Sequence, residues 1–152
     1  MIQYAVTDSA CLIALERIER LELLPASFEE VLAPPEVLKE FGKVPTWIEV
    51  RGAAEREVVA RLRHEYLGEG ESAAIALATE IPGAAVILDE RKARRVALKL
   101  DLIVMGTLGV LVRAKELGVI RTVRPLVDEL RRVGFYLTED LLREVFRRAE
   151  EH

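Results

Sequence analysis

Apolar positions along this chain follow two rhythms. Ile2–Thr7, Phe28–Ala33, Ala85–Leu88 and Leu102–Met105 are short and rich in aliphatic residues, the pattern of buried strands. Between them the spacing lengthens to three and four. Ala54, Val58, Val59, Leu62 and Tyr66 mark one face of an amphipathic helix over Ala53–Tyr66. Ala93, Val96, Ala97 and Leu100 mark another over Glu90–Leu100. Leu126, Val127, Leu130 and Val133 mark a third over Arg124–Val133, and Leu141, Leu142, Val145 and Phe146 the last, opened by Thr138 and Asp140. Ala10–Leu15 and Glu71–Thr79 are apolar on nearly every side, so these helices belong inside the body.

Punctuation sets the remaining bounds. Asp8 and Ser9 can cap the Ala10–Leu15 helix, because their side-chain oxygens accept free backbone N–H groups. A helical turn or two over Ile18–Leu24 ends at Pro25. Pro35 opens a helix to Phe41 that stops at Gly42, and its Glu36 and Glu40 share a face. A helix follows Gly106–Gly109 and runs to Leu117, where Gly118 supplies a left-handed stop. Thr46–Val50 reads equally as strand or loop, and Gly134–Leu137 as a turn with an optional edge strand. Short strands alternating with helices predict an α/β fold with a mostly parallel central sheet flanked by helices, in one domain over residues 1–152.

Composition narrows the partners. No apolar run reaches the roughly 18 to 20 residues that span a bilayer, and the start of the chain is not signal-like, which predicts a cytoplasmic protein with no membrane partner. The lone Cys11, inside an apolar run, excludes an intrachain disulfide and is expected to be a buried spectator. A net charge of −4 gives no overall attraction to nucleic acid, so any such contact must be local. Arg91, Lys92, Arg94 and Arg95 form the local candidate, readable as a phosphate grip or as a solvated helix face. Aromatics are few, so no base-stacking surface is legible.

The acids carry the chemistry. Asp8 follows the first strand and Asp89 the Ala85–Leu88 strand, at the edge where open parallel sheets bind ligands. Glu71 opens an apolar helix near that edge, and Glu40 can reach in from the side. Singly, each is explained by helix capping or an exposed helix face. Together, beside apolar runs, they repel one another and resist burial, a cost that a divalent cation removes. Carboxylate oxygens with water suit Mg²⁺ or Mn²⁺. His64 lies on a charged helix face and His152 ends the chain, so neither is expected to take part.

At these residues the chain resembles a PIN domain, the fold of many metal-dependent ribonucleases and of the toxin half of VapBC-type toxin–antitoxin pairs. The resemblance spans nearly the whole chain. It rests on Val6-Thr7-Asp8-Ser9, on Pro35–Glu40, on Gly68-Glu69-Gly70-Glu71-Ser72-Ala73-Ala74-Ile75-Ala76-Leu77-Ala78, and on Leu88-Asp89-Glu90-Arg91-Lys92-Ala93-Arg94. Gly106–Leu111 is similar to a subgroup of uncharacterised prokaryotic PIN proteins. The resemblance implies a three-layer α/β fold and makes Asp8, Glu40, Glu71 and Asp89 the acidic quartet of a Mg²⁺ or Mn²⁺ site hydrolysing RNA. Ser9 would support Asp8. Two departures stand out: Glu71 occupies a place where many PIN domains have Asp, and Gly106-Thr107 one where an acidic or hydroxyl residue often follows. Thr107 would hold a water or phosphate, or cap its helix. The resemblance also implies pairing into a homodimer, for which the Ala53–Tyr66 and Leu141–Phe146 faces are candidates if they do not complete the core, and allows an antitoxin partner.

Three rivals compete. A phosphoacceptor domain needs an acidic pair after the first strand, and a haloacid-dehalogenase-type phosphatase needs Asp-x-Asp there; Asp8 is followed by Ser9 and Ala10. A PIN-like scaffold that binds RNA or protein without cutting is the third.

Overall fold

A computed structural model describes residues 2–65 and 67–152. Its sheet has five strands: β1 (Tyr4–Thr7), β2 (Glu30–Ala33), β3 (Ile48–Val50), β4 (Ala85–Ile87) and β5 (Ile103–Met105). They lie in the order β3-β2-β1-β4-β5, and each neighbouring pair is parallel. Thr46–Val50 therefore resolves as a turn at Thr46 and Trp47 followed by the edge strand β3. Only Ile48 of its three residues is buried, which is why its sequence showed no rhythm.

The helices are α1 (Ser9–Arg17), α2 (Leu23–Ser27), α3 (Pro35–Phe41), α4 (Arg56–His64), α5 (Glu69–Thr79), α6 (Arg91–Lys99), α7 (Thr107–Glu116), α8 (Arg124–Arg132) and α9 (Glu139–Arg148). Helix α5 lies on β1 and β4 and packs against α3 and α4, whereas α7 packs against α2, α1 and α9. As its pattern required, α5 is buried from Ser72 to Ala78. The stripes of α4 and α9 complete the core: Val59 and Leu62 of the first and Leu142 and Val145 of the second are buried within the chain. Leu141 of the second stripe stays 42% exposed. Tyr66, the end of the predicted Ala53–Tyr66 helix, lies outside the described residues.

Two expectations are corrected. Pro25 does not end a helix over Ile18–Leu24; it sits in the first turn of α2, where a missing N–H costs nothing. Gly134–Leu137 contains no strand. From Val133 to Thr138, half-buried and exposed residues alternate as in a strand, but the segment pairs with none. No helix among the described residues is long and apolar enough to cross a membrane.

The strand order fixes where a ligand can sit. From β1 the chain winds outward through β2 to β3, then returns to β4 and winds the other way to β5. Between β1 and β4 the order reverses, so the crossovers on either side diverge and leave a crevice beyond the carboxyl ends of those two strands. Thr7 is in register with Ile87, which brings Asp8 and Asp89 to that crevice.

Candidate active site

Asp8 is built into the crevice floor. Its N–H continues the ladder to the Ile87 carbonyl at 3.1 Å. Its carboxylate caps α1, with Oδ1 accepting from the Cys11 N–H at 2.9 Å. The capping role anticipated for a lone acid is thus real, but it occupies one oxygen. Oδ2 turns toward Asp89 and, among the described residues, accepts that residue's N–H, at 3.4 Å. Asp8 is 3% exposed. Burial, and then the Asp89 charge, push its pKa from 3.8 up to about 7, against the pull of the Cys11 and Asp89 N–H groups, with Glu71 adding a smaller push. Keeping this group ionised near neutrality calls for a compensating positive charge.

Asp89 follows β4 at the carboxyl edge of the sheet, as expected, but the capping role open to a lone acid there falls to its neighbour. Glu90 caps α6, its Oε2 accepting from the Ala93 N–H at 2.6 Å. Asp89 instead reaches across to the next crossover. Its Oδ1 accepts the Thr107 N–H at 2.8 Å and its Oδ2 the Thr107 hydroxyl at 2.5 Å. Thr107 is fully buried, so its hydroxyl serves to fix Asp89. Gly106 makes room: a Cβ there would stand 3.0 Å from Asp89 Oδ1 and 2.8 Å from Arg94 Nη1.

The two glutamates come from α5 and α3. Glu71 accepts the Gly68 N–H at 3.1 Å, the half of a capping box that a glycine at the cap permits. Burial raises its pKa, with smaller pushes from Glu90 and Glu40. Glu40 accepts the Ser9 hydroxyl at 3.1 Å, so Ser9 supports Glu40 rather than Asp8. The carboxylate of Glu40 lies against the backbone of Gly70, where a Cβ would come within 2.0 Å of Oε1.

The four acids thus form a linked series in which Asp89 acts on Asp8, Asp8 feels Glu71, and Glu71 feels Glu40. Among the described residues, no three His, Cys, Asp or Glu side chains converge as a group able to hold one ion. Each acid is instead drawn toward a local N–H or hydroxyl. Glu90, which sequence reasoning passed over, is the fifth acid of this neighbourhood. The run Asp89-Glu90 held the signal, since two adjacent acids at a helix start leave one free of the cap.

Cations border the acids on one side. Arg94 Nη1 donates to the Leu88 carbonyl at 2.9 Å, which anchors the guanidinium beside Asp89. Arg91 and Arg95 are exposed on the same helix, and Lys92 is half-buried. Cys11 is fully buried, and burial, then Asp89 and Asp8, push its thiol well above its ordinary pKa. Its burial is as anticipated. His64 is exposed on α4.

The model of a PIN-domain family matches residues 4–151. The chain belongs to the PIN-domain family. Comparison with curated proteins and with solved structures gave no match. The family and its α/β fold are thereby established for this PIN domain.

Proposed function

We propose that this PIN domain is a Mg²⁺- or Mn²⁺-dependent endoribonuclease. The observation that carries the reading is the Asp8–Asp89 pair at the reversal of strand order: two adjacent carboxylates, one buried, its pKa raised to about 7. The donor set fits a hard divalent cation, because it is all oxygen and is more negative than its surroundings tolerate. Asp8 and Asp89 would hold such an ion, and Glu71 and Glu40 would complete the acidic setting from α5 and α3. When bound, the ion supplies a water acidic enough to attack and neutralises charge growing on the phosphate.

The chain's own residues do the rest. Thr107 holds both oxygens of Asp89, so that carboxylate meets its ligand without reorganising. Glu40, held by Ser9, would orient the attacking water or bind a second ion. Arg94, anchored on Leu88, offers its remaining N–H groups to a phosphate oxygen, and Arg91 and Arg95 extend that positive edge. An antitoxin-like partner and self-pairing belong to the same proposal as controls on access to this edge.

A second reading is a PIN domain that binds RNA without cutting it, supported by the hydrogen bonds that draw each acid to a local N–H or hydroxyl. Purified protein incubated with single-stranded RNA and Mn²⁺, Mg²⁺ or EDTA separates the two. We expect cleavage that EDTA abolishes and that Asp8→Asn or Asp89→Asn each lowers at least about tenfold, or ~1.4 kcal/mol of barrier. Salt-sensitive binding with no turnover by the wild type selects the second reading.

A further inference from the structure

Beyond Asp89, away from Asp8, the crevice opens into a cleft of about 480 Å³ between β5, α7 and α9. Its floor is apolar, formed by Val104, Met105, Leu108, Phe135 and Val145. A second hollow, lined by Arg91, Arg94, Arg95 and Leu98, adjoins it. Asp89, Arg94, Tyr136 and Leu141 border both. The two spaces thus meet along one edge, with the catalytic carboxylate at one end and Tyr136 beside them.

Tyr136 is the unexplained residue there. It is 84% exposed, while its neighbours Phe135 and Leu137 are turned into the body. An aromatic ring held out on a segment that joins no strand contributes little to the core, yet it flanks an apolar cleft beside a charged one. Such a pairing of an aromatic face with guanidinium groups is how proteins hold unpaired nucleotides, the ring taking the base and the cations its phosphate.

We propose that this cleft is a nucleobase subsite: one unpaired base of the RNA strand enters over Met105 and Leu108 and stacks on Tyr136, while its phosphate lies on the Arg91–Arg94–Arg95 edge. Three observations select RNA as the occupant. The cleft is continuous with Asp89, where the strand must pass. Its volume suits a single nucleoside. Its charge favours a phosphate on the arginine side: Arg91, Arg94, Arg95 and Arg148 line the two spaces against Asp89, Glu144 and Asp140. Two of those acids are matched within α9, Glu144 by Arg147 Nε and Nη2 at 3.1 and 2.6 Å and Asp140 by Arg143, which leaves Asp89 as the acid facing the arginines. A base inside a duplex cannot reach such a pocket, so the subsite makes the enzyme one for single-stranded RNA.

The inference rests on RNA being the substrate, but its test does not rest on turnover. Binding of a short single-stranded RNA is measured in EDTA, and cleavage separately in Mn²⁺, for wild type, Tyr136→Ala and Tyr136→Phe. The exposed ring can be removed without loss of folding, which an unchanged melting temperature verifies. We expect Tyr136→Ala to weaken binding about tenfold and Tyr136→Phe less than about twofold, in line with the worth of one stacked base. Within a series of RNAs each lacking one base, wild type should lose a similar factor at a single position, and Tyr136→Ala should lose nothing further there. Wild type should also bind a hairpin stem at least about tenfold more weakly than the single strand. If Tyr136→Ala binds every RNA as wild type does, the subsite is refuted even if cleavage is intact. If cleavage is absent but the Tyr136 effect on binding persists, the nuclease reading falls and the subsite stands. Wild type that neither binds nor cleaves RNA overturns both.

Discussion

In the absence of metal, Asp8→Asn is expected to be more stable than the wild type at pH 8 and no more stable at pH 4. The native Asp8 carboxyl titrates near 7 against 3.8 ordinarily, so between those values the folded chain keeps a proton that the unfolded chain has lost. Stability must then fall as pH rises through that window and level off above it. At 1.36 kcal/mol per pH unit, the shift corresponds to roughly 4 kcal/mol of instability at alkaline pH. Asn carries no charge to desolvate and can still accept the Cys11 N–H, so the cap survives. Loss of the long Asp89 N–H contact offsets part of the gain, leaving an expected ~2–4 kcal/mol at pH 8. Urea titrations of both proteins in EDTA at pH 4, 6 and 8 measure it. A variant equal to or less stable than wild type at pH 8 rejects the electrostatic account of Asp8. A residue whose loss stabilises the fold while silencing the enzyme is one retained for its ligand.

Gly70→Ala is expected to lower RNA cleavage about as far as Glu40→Gln, tenfold or more, with no loss of stability. The new Cβ would fall 2.0 Å from Glu40 Oε1 and 3.0 Å from its Cδ. Glu40 ends in a flexible chain, so it swings away at small cost to the fold and gives up the Ser9 hydroxyl bond. Alanine in place of glycine near the start of α5 favours the helix by up to about 1 kcal/mol. Activity and stability therefore move apart. Because both substitutions act on one carboxylate, the double variant should be no slower than Glu40→Gln alone. Additive losses would mean that Gly70 matters for another reason and that Glu40 has no role set by it.

Much of this arrangement was legible in the residues. Parallel strands buried on both faces announce themselves as apolar runs, which located β1, β2 and β4, and with them Asp8 and Asp89 at the carboxyl edge of the sheet. The edge strand β5 is only partly covered but wholly apolar, so it read the same way. Other peripheral elements were harder. Strand β3 buries a single side chain, and the Phe135–Leu137 segment has a strand's alternation without a neighbour to pair with, a distinction that depends on tertiary placement. Side-chain partners across crossovers were not legible at all. Nothing in Asp89-Glu90 says which acid caps α6, and the sequence separation between Asp89 and Thr107 hides a contact made only because β4 and β5 are neighbours. The same holds for Gly70, whose missing side chain makes space for a residue of α3. Ser9 was read as a support for its neighbour Asp8, whereas the first turn of α1 points it at Glu40.

Joint binding of a divalent cation by Asp8 and Asp89 is read out by calorimetric titration of Mn²⁺ in buffers of different ionisation heat. An ion that binds the Asp8 carboxylate must displace the proton that this group carries below about pH 7. Wild type is expected to bind Mn²⁺ with release of close to one proton at pH 6 and almost none at pH 8.5, whereas Asp8→Asn and Asp89→Asn bind at least about tenfold more weakly, the former without proton release. Mn²⁺ affinity and proton count that are the same in wild type and in both variants would contradict the account.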